Sequence, residues 1–90
     1  MKTIYKYPLK IEDMQTITTH KGADFLHVEV QHGTPCLWAL VDTKAPMQIR
    51  VILMRGTGHD AEGIAANQHI STFMLRDGNL VFHAFDGGCT

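Results

Sequence analysis

The densest group of chemically capable residues in this 90-residue chain is a glycine-rich segment, Arg55-Gly56-Thr57-Gly58-His59. Glycines that reach positive φ allow consecutive backbone amides to form a concave donor site for an anion, to which a guanidinium, a hydroxyl and an imidazole could add. We therefore predict that these five residues bind an anionic, nucleotide-like small molecule. A glycine turn at a strand end is the alternative, because the segment carries neither the GK[ST] of a P-loop nor a complete dinucleotide fingerprint.

A histidine and a carboxylate two positions apart offer a second chemistry. His27 and Glu29 project from the same face of a predicted strand, and His32 follows in the next turn. Together they could ligate zinc or iron, or act as an acid and a base. However, the chain has no CxxC, HExxH or HxH pattern, and its only serine, Ser71, lies within a predicted strand without a nucleophile elbow. We therefore assign no catalytic residue, no metal and no cofactor, and keep His27, Glu29 and His32 as metal-ligand candidates.

The aromatic residues divide into a predicted core and a predicted exposed pair. Trp38 has apolar neighbours on both strand faces, so we expect it in the core. Tyr5 and Tyr7 alternate with lysines in a run that Pro8 ends, which is typical of an edge strand. We predict that these two tyrosines contact a ligand or a partner.

The composition is that of one globular domain spanning residues 1–90. Hydrophobic residues make up 44% and charged residues 19%, which argues against a disordered chain, and a net charge of −1 argues against general nucleic-acid binding. No apolar run is long enough to cross a membrane, and the opening MKTIYKYPLKIED lacks the apolar core of a signal peptide, so we expect a cytoplasmic protein without membrane contact. A chain this short has a thin stability margin, which favours a homo-oligomer, either a dimer or a larger assembly.

The elements that must position these residues centre on a β-hairpin over residues 25–42. Its second arm is apolar on both faces, which predicts a central strand, and in its first arm Leu26, Val28 and Val30 share one face. A second hairpin, over residues 70–85, turns at Asp77-Gly78. That turn predicts five cross-strand pairs: Leu75 with Leu80, Met74 with Val81, Phe73 with Phe82, Thr72 with His83, and Ile70 with Phe85.

Three further strands are predicted at residues 2–6, 15–19 and 47–54, the last with one fully apolar face. The segment 55–68 is a long loop in which a helix of one or two turns could form over residues 60–67. The sequence therefore predicts a mainly β fold, a small antiparallel sandwich or barrel of six to seven strands, with at most one short helix near residues 60–67. Short-range patterns do not distinguish the sandwich from the barrel.

Four stretches of the chain resemble a family of short, uncharacterised proteins encoded in bacteriophage and prophage genomes. They are the opening MKTIYKYPL, QHGTPCLWALVD from Gln31 to Asp42, GTGH from Gly56 to His59, and the closing LVFHAF. The resemblance spans nearly the whole chain and brings no assigned activity. It implies a small cytoplasmic protein of an infected or lysogenic bacterium. Short phage proteins often block a host component or sequester a signalling nucleotide.

These observations lead to a principal hypothesis and two alternatives. The first is a non-enzymatic binding protein, a homo-oligomer, that engages a host protein or an anionic small molecule through residues 55–59 and adjoining edge surfaces. The second is a metal-dependent or acid/base enzyme that uses the region of His27 and Glu29. The third is a structural component of a virion.

Overall fold

The structure is a computed structural model that describes residues 1–90. It contains seven strands and one turn of 3-10 helix at Ala66–Gln68. The strands are β1 (Lys2–Pro8), β2 (Met14–His20), β3 (Asp24–Gln31), β4 (Thr34–Asp42), β5 (Met47–Gly56), β6 (His69–Leu75) and β7 (Leu80–Cys89). The predicted mainly β fold is thus confirmed. The helical turn, three residues long, is far too short to cross a membrane.

The strands form two antiparallel sheets, so the architecture is a sandwich. A three-stranded sheet has the order β1-β4-β3, and a four-stranded sheet has the order β2-β5-β7-β6. The apolar arm β4 is the central strand of its sheet, as its two apolar faces predict. At one edge of the sandwich β3 lies against β6, and at the other edge lie β1 and β2.

The hydrophobic core lies between the two sheets. From the three-stranded sheet, the paired Val28 and Leu37 are fully buried. From the four-stranded sheet, Ile52, Met54 and Phe73 project inward and are buried as well. Because strand side chains alternate between faces, each of these strands must present its remaining residues outward.

The apolar face of β5 is the outward one. Met47 and Ile49 are exposed, whereas Arg50 lies on the inner face with Ile52 and Met54. A buried guanidinium needs polar partners, and Arg50 has them: it donates to the carbonyl of Ala23 at 3.0 Å and to the carboxylate of Asp86 at 2.8 Å. The four-stranded sheet consequently carries apolar side chains on both faces.

Three register shifts interrupt the strand ladders. One lies between Arg50 and Ile52 in the β5–β7 pairing, and the other two change what plain alternation predicts. Four of the five predicted hairpin pairs are confirmed, but Ile70 does not face Phe85, because a bulge between His69 and Ser71 places His69 opposite Phe85. A second bulge, between Phe25 and His27, leaves Leu26 exposed rather than on the inner face of Val28. A bulge adds one unpaired residue, which strict period-2 reasoning cannot represent.

Candidate binding surfaces

The predicted anion-binding loop folds back on itself. The amide of His59 donates to the carbonyl of Gly56 at 3.0 Å, and the amide of Thr57 donates to the carbonyl of Val81 at 3.2 Å. The imidazole of His59 covers Gly56 so closely that a Cβ there would lie 2.8 Å from the ring. Gly58 has the positive φ, 87°, that the sequence anticipates. Two of the loop amides thus have partners within the protein.

Arg55 is also engaged by the protein itself. Its Nε donates to the carbonyl of Asp60 at 3.0 Å, and its Nη1 donates to the carbonyls of Asp13 at 2.7 Å and Met54 at 2.9 Å. The guanidinium therefore ties the loop to the β1–β2 connection. An anion bound to Arg55 would have only the Nη2 group available without breaking these bonds.

A cavity of about 240 Å³ lies beside the loop. Three of the five predicted loop residues line it, together with the first residues of β7: Gly56, Thr57, His59, Asn79, Leu80, Val81 and Phe82. Arg55 is not among them, and neither are the two candidate tyrosines. Tyr7 is half-buried on β1, with its hydroxyl bonded to that of Thr19 at 2.7 Å, and Tyr5 is exposed beside His20. The seven predicted ligand-binding residues therefore do not converge on one site.

A chain of hydroxyls and imidazoles crosses the outer face of the four-stranded sheet. The hydroxyl of Thr57 lies 2.8 Å from Nε2 of His83, whose Nδ1 lies 2.9 Å from the hydroxyl of Thr72, which in turn lies 3.0 Å from Nε2 of His69. Sequence reasoning missed this network because its members come from three separate segments. The predicted Thr72–His83 pair was the one available indication of it.

The candidates His27 and Glu29 meet a serine that the sequence places 44 residues away from the histidine. Nδ1 of His27 lies 2.9 Å from Oγ of Ser71, and Nε2 lies 3.4 Å from the carboxylate of Glu29. A carboxylate can only accept, so Nε2 carries the facing proton, and in the neutral ring Nδ1 accepts the proton of the Ser71 hydroxyl. This serine–imidazole–carboxylate order is the one used in nucleophilic catalysis.

The surroundings of this trio favour a structural role. Ser71 is only 4% exposed, and its Oγ also accepts the amide proton of Val28 at 2.7 Å, which links β6 to β3. None of the five cavities is lined by Ser71, His27 or Glu29. His32 stands apart from the trio in the β3–β4 turn, with a φ of 51°, and no group of three potential ligands has a metal-binding arrangement.

The outer face of the three-stranded sheet presents an apolar patch, which we call the Trp38 patch. Its members are apolar side chains that point away from the core: Ile4, Leu26, Trp38 and Leu40. The prediction that Trp38 lies in the core was wrong, because Leu37 and Ala39 occupy the inner positions of β4 and Trp38 is only half-buried. Lys6 and His27, its cross-strand partners, give the patch a polar rim.

A larger apolar groove opens between the tips of the two hairpins. It has a volume of about 700 Å³, within the range of small-molecule sites. Apolar residues form most of its lining: Ile11, Val30, Met74, Leu75, Leu80 and Phe82. Arg76 and Asp77 border it, and both have positive φ values, 52° and 55°.

The chain is thus a small antiparallel β-sandwich with several candidate surface sites. It belongs to a domain family described as a domain of unknown function, DUF7352, which matches residues 1–89. No curated protein and no solved structure matches it.

Proposed function

We propose that this protein is a non-enzymatic binding protein that works as a homo-oligomer and engages a protein of the bacterial host through the Trp38 patch. The observation that carries the proposal is an indole and three aliphatic side chains on the outside of a sheet. Aromatic anchors with a polar rim are the composition of energetically dominant interface positions.

The patch is held in place before any partner arrives. Trp38 lies on the central strand, between Lys6 of β1 and His27 of β3. The ammonium of Lys6 donates to the side-chain carbonyl of Gln31 at 2.7 Å, which spans the face from one edge strand to the other. A rigid, preorganised surface loses less conformational entropy on binding than a mobile one.

The biological setting is part of the proposal. The resemblance to proteins encoded in phage and prophage genomes supports a role in the cytoplasm of an infected or lysogenic bacterium. There the protein would block a host component, such as a defence protein. The electrically near-neutral composition, with a net charge of −1, fits a protein partner better than a polyanion.

Affinity capture with matched surface variants tests this proposal. Leu26 in the Trp38 patch and Ile49 on the other sheet are equally exposed, at 47% each. We expect Leu26→Lys to abolish capture of the partner from host lysate and Ile49→Lys to retain it, with both variants melting near the wild-type temperature. Retention by Leu26→Lys, or equal loss in both variants, would contradict the proposed surface.

Sequestration of an anionic small molecule is the second candidate, and the cavity beside Thr57 and His59 favours it. Native mass spectrometry of protein purified without chelator, compared with its denatured mass, tests it directly. An added mass that is lost on denaturation and absent from His59→Ala would identify this ligand. A stoichiometric metal lost from His27→Ala would instead support the enzyme hypothesis.

A further inference from the structure

We infer that two copies of this chain pair through β2, running antiparallel with Thr16 facing its own copy, so that two four-stranded sheets join into one of eight strands. This inference deepens the homo-oligomeric part of the proposed function and rests on it. The occupant of the site is a second copy of this chain.

The backbone of β2 has unused hydrogen-bonding groups along its free edge. The carbonyl of Asp13 accepts the amide proton of Met54 at 3.0 Å, and the amide of Lys21 donates to Pro46 at 2.7 Å. These two bonds bracket the strand, so the odd-numbered residues between them bond β5. The backbone groups of Met14, Thr16 and Thr18 therefore point away from β5, and no other hydrogen bond involves them.

The other three sheet edges are each protected. The free edge of β1 carries Lys2, Lys6 and Pro8, and lysine and proline are common devices against edge pairing. The edges of β3 and β6 face each other, and each contains a bulge. The strand β2 contains no lysine, proline, glycine or bulge over its seven residues.

Space for an added strand is present at this edge. A cavity of about 450 Å³ runs beside β2, lined by Met14 to Ile17 from the strand, by Pro8 at the end of β1, and by Lys10 and Glu12 from the connection between the two strands. The side chain of Met14 is 64% exposed at its mouth. A second backbone approaching the outward groups of Thr16 would therefore meet open space.

The charges at the two ends of β2 favour a second copy in the antiparallel direction. The acidic Glu12 and Asp13 precede the strand, and the basic Lys21 follows it. With Thr16 opposite its copy, the acidic end of one strand lies beside the Lys21 end of the other, and the same arrangement repeats across the two-fold axis. A parallel arrangement would place like charges together. The antiparallel one offers about six backbone hydrogen bonds, two from each of three facing pairs.

Site-specific cross-linking tests the register. In a Cys89→Ser background, which removes the exposed cysteine, Thr16→Cys and Thr18→Cys differ only in distance from the proposed axis. The Cα atoms of two facing residues in a hydrogen-bonded antiparallel pair lie about 5.5 Å apart, within disulfide range. Two copies of residue 18 would be offset by about 13 Å along the strand. We expect a covalent dimer from Thr16→Cys, in at least tenfold excess over Thr18→Cys.

Mass measurement by light scattering supplies the second readout. We expect the wild-type protein to be a dimer and Thr16→Pro, which removes an outward amide that β5 does not use, to be a monomer. A monomeric wild type overturns both the inference and the homo-oligomer. Two results would overturn pairing through β2 while leaving a homo-oligomer that uses another interface. One is equal cross-linking of Thr16→Cys and Thr18→Cys. The other is a dimeric Thr16→Pro variant together with no cross-link in Thr16→Cys. Capture through the Trp38 patch is read separately with Leu26→Lys.

Discussion

The two long edges of the sandwich are built differently. At the β3–β6 edge, the hydroxyl of Ser71 accepts the amide proton of Val28 and contacts His27, so the facing strands are joined by polar groups. At the β1–β2 edge, the sheets share the hydrogen bond between Tyr7 and Thr19, and a cavity runs beside β2. We call the β3–β6 edge the closed edge and the β1–β2 edge the open edge. The backbone groups of a closed edge must find hydrogen-bond partners within the protein, whereas those of an open edge can bond water or another chain.

Arg50 extends the closed edge toward the first residues of β3 and β6. Its guanidinium lies 4.3 Å from the centre of the Phe25 ring and bonds both Ala23 and Asp86. The Asp86 carbonyl in turn accepts the side-chain amide of Gln68 at 3.0 Å, from the turn that precedes β6. The buried cation thus connects the two sheets and the β2–β3 connection, and its partner Asp86 holds the turn before β6.

The largest effect is expected from Arg50→Met. The substitution removes the donor to the Ala23 carbonyl and to Oδ2 of Asp86, while Oδ1 keeps the amide of Gly88. We expect the free energy of unfolding to fall by about 2–3 kcal/mol, since Asp86 is partly exposed. Urea denaturation at pH 7 measures it. Lys6→Met, at an exposed site, is the control and should change stability by less than about 0.5 kcal/mol. Similar free energies of unfolding for the two variants would show that Arg50 stabilises the closed edge no more than an exposed residue does.

Ser71→Ala should cause the next largest loss of stability. It leaves the Val28 amide inside the closed edge without an acceptor, which costs about 1–3 kcal/mol. Thr16→Ala on the open edge removes a hydroxyl that makes no hydrogen bond, and we expect a loss below about 1 kcal/mol. Denaturant midpoints of the two variants, measured side by side, provide the test. If Thr16→Ala lowered the free energy of unfolding as much as Ser71→Ala, the two edges would not differ in stability as proposed.

A smaller effect is expected at the link across the open edge. Tyr7→Phe removes a single hydrogen bond to the buried Thr19, and we expect a loss of about 1 kcal/mol. Thermal unfolding measures it, with Tyr5→Phe as the matched control on the same strand. An unchanged melting temperature in Tyr7→Phe would show that packing alone holds β1 over β2.

The smallest effect concerns pH and Asp42, at the end of β4 beside the start of β1. The amide of Lys44 donates to its carboxylate at 3.0 Å and the N-terminal ammonium lies 3.7 Å away; these two interactions lower the pKa of Asp42, in that order of size. A lowered folded-state pKa means that the carboxylate stabilises the fold above its ordinary pKa of about 3.9, and that this contribution is lost as the pH falls through the folded value.

We therefore expect Asp42→Asn to melt slightly below the wild type at pH 6 and to match it in strong acid. Melting curves of both proteins between pH 2 and 6 provide the measurement. A difference that stays constant over this range would assign the effect to packing and not to charge.

The predictable part of this fold is its local part. The two hairpins, the central position of β4 and the pairs Leu75–Leu80 and Phe73–Phe82 follow from alternation and turn residues over a few positions. The contacts that join the sheets do not, because Ser71 and His27 meet across 44 positions of chain. Nothing local indicates that Arg50 would be buried and Ile49 exposed on the same strand.

In the candidate sites too, the sequence predicts local features but not long-range contacts. The sequence identified the loop of Gly56 to His59 and its left-handed glycine, but not that Arg55 would bind the carbonyl of Asp13, 42 positions earlier. It placed Trp38 in the core because both faces of β4 are apolar, and apolarity alone does not say which face the second sheet covers. The Trp38 patch could be recognised only once the sheet order was known.

The strand order also governs how the chain can fold as it is synthesised. The strand β7 lies in the interior of the four-stranded sheet, between β5 and β6, although it is the last of the seven strands. While residues 80–89 are still inside the ribosome, β5 has only β2 beside it and β6 has no hydrogen-bonded neighbour in that sheet. Ile52, Met54 and Phe73 therefore cannot complete their shared core until β7 has left the ribosome, so the four-stranded sheet must close only after its last strand has been synthesised.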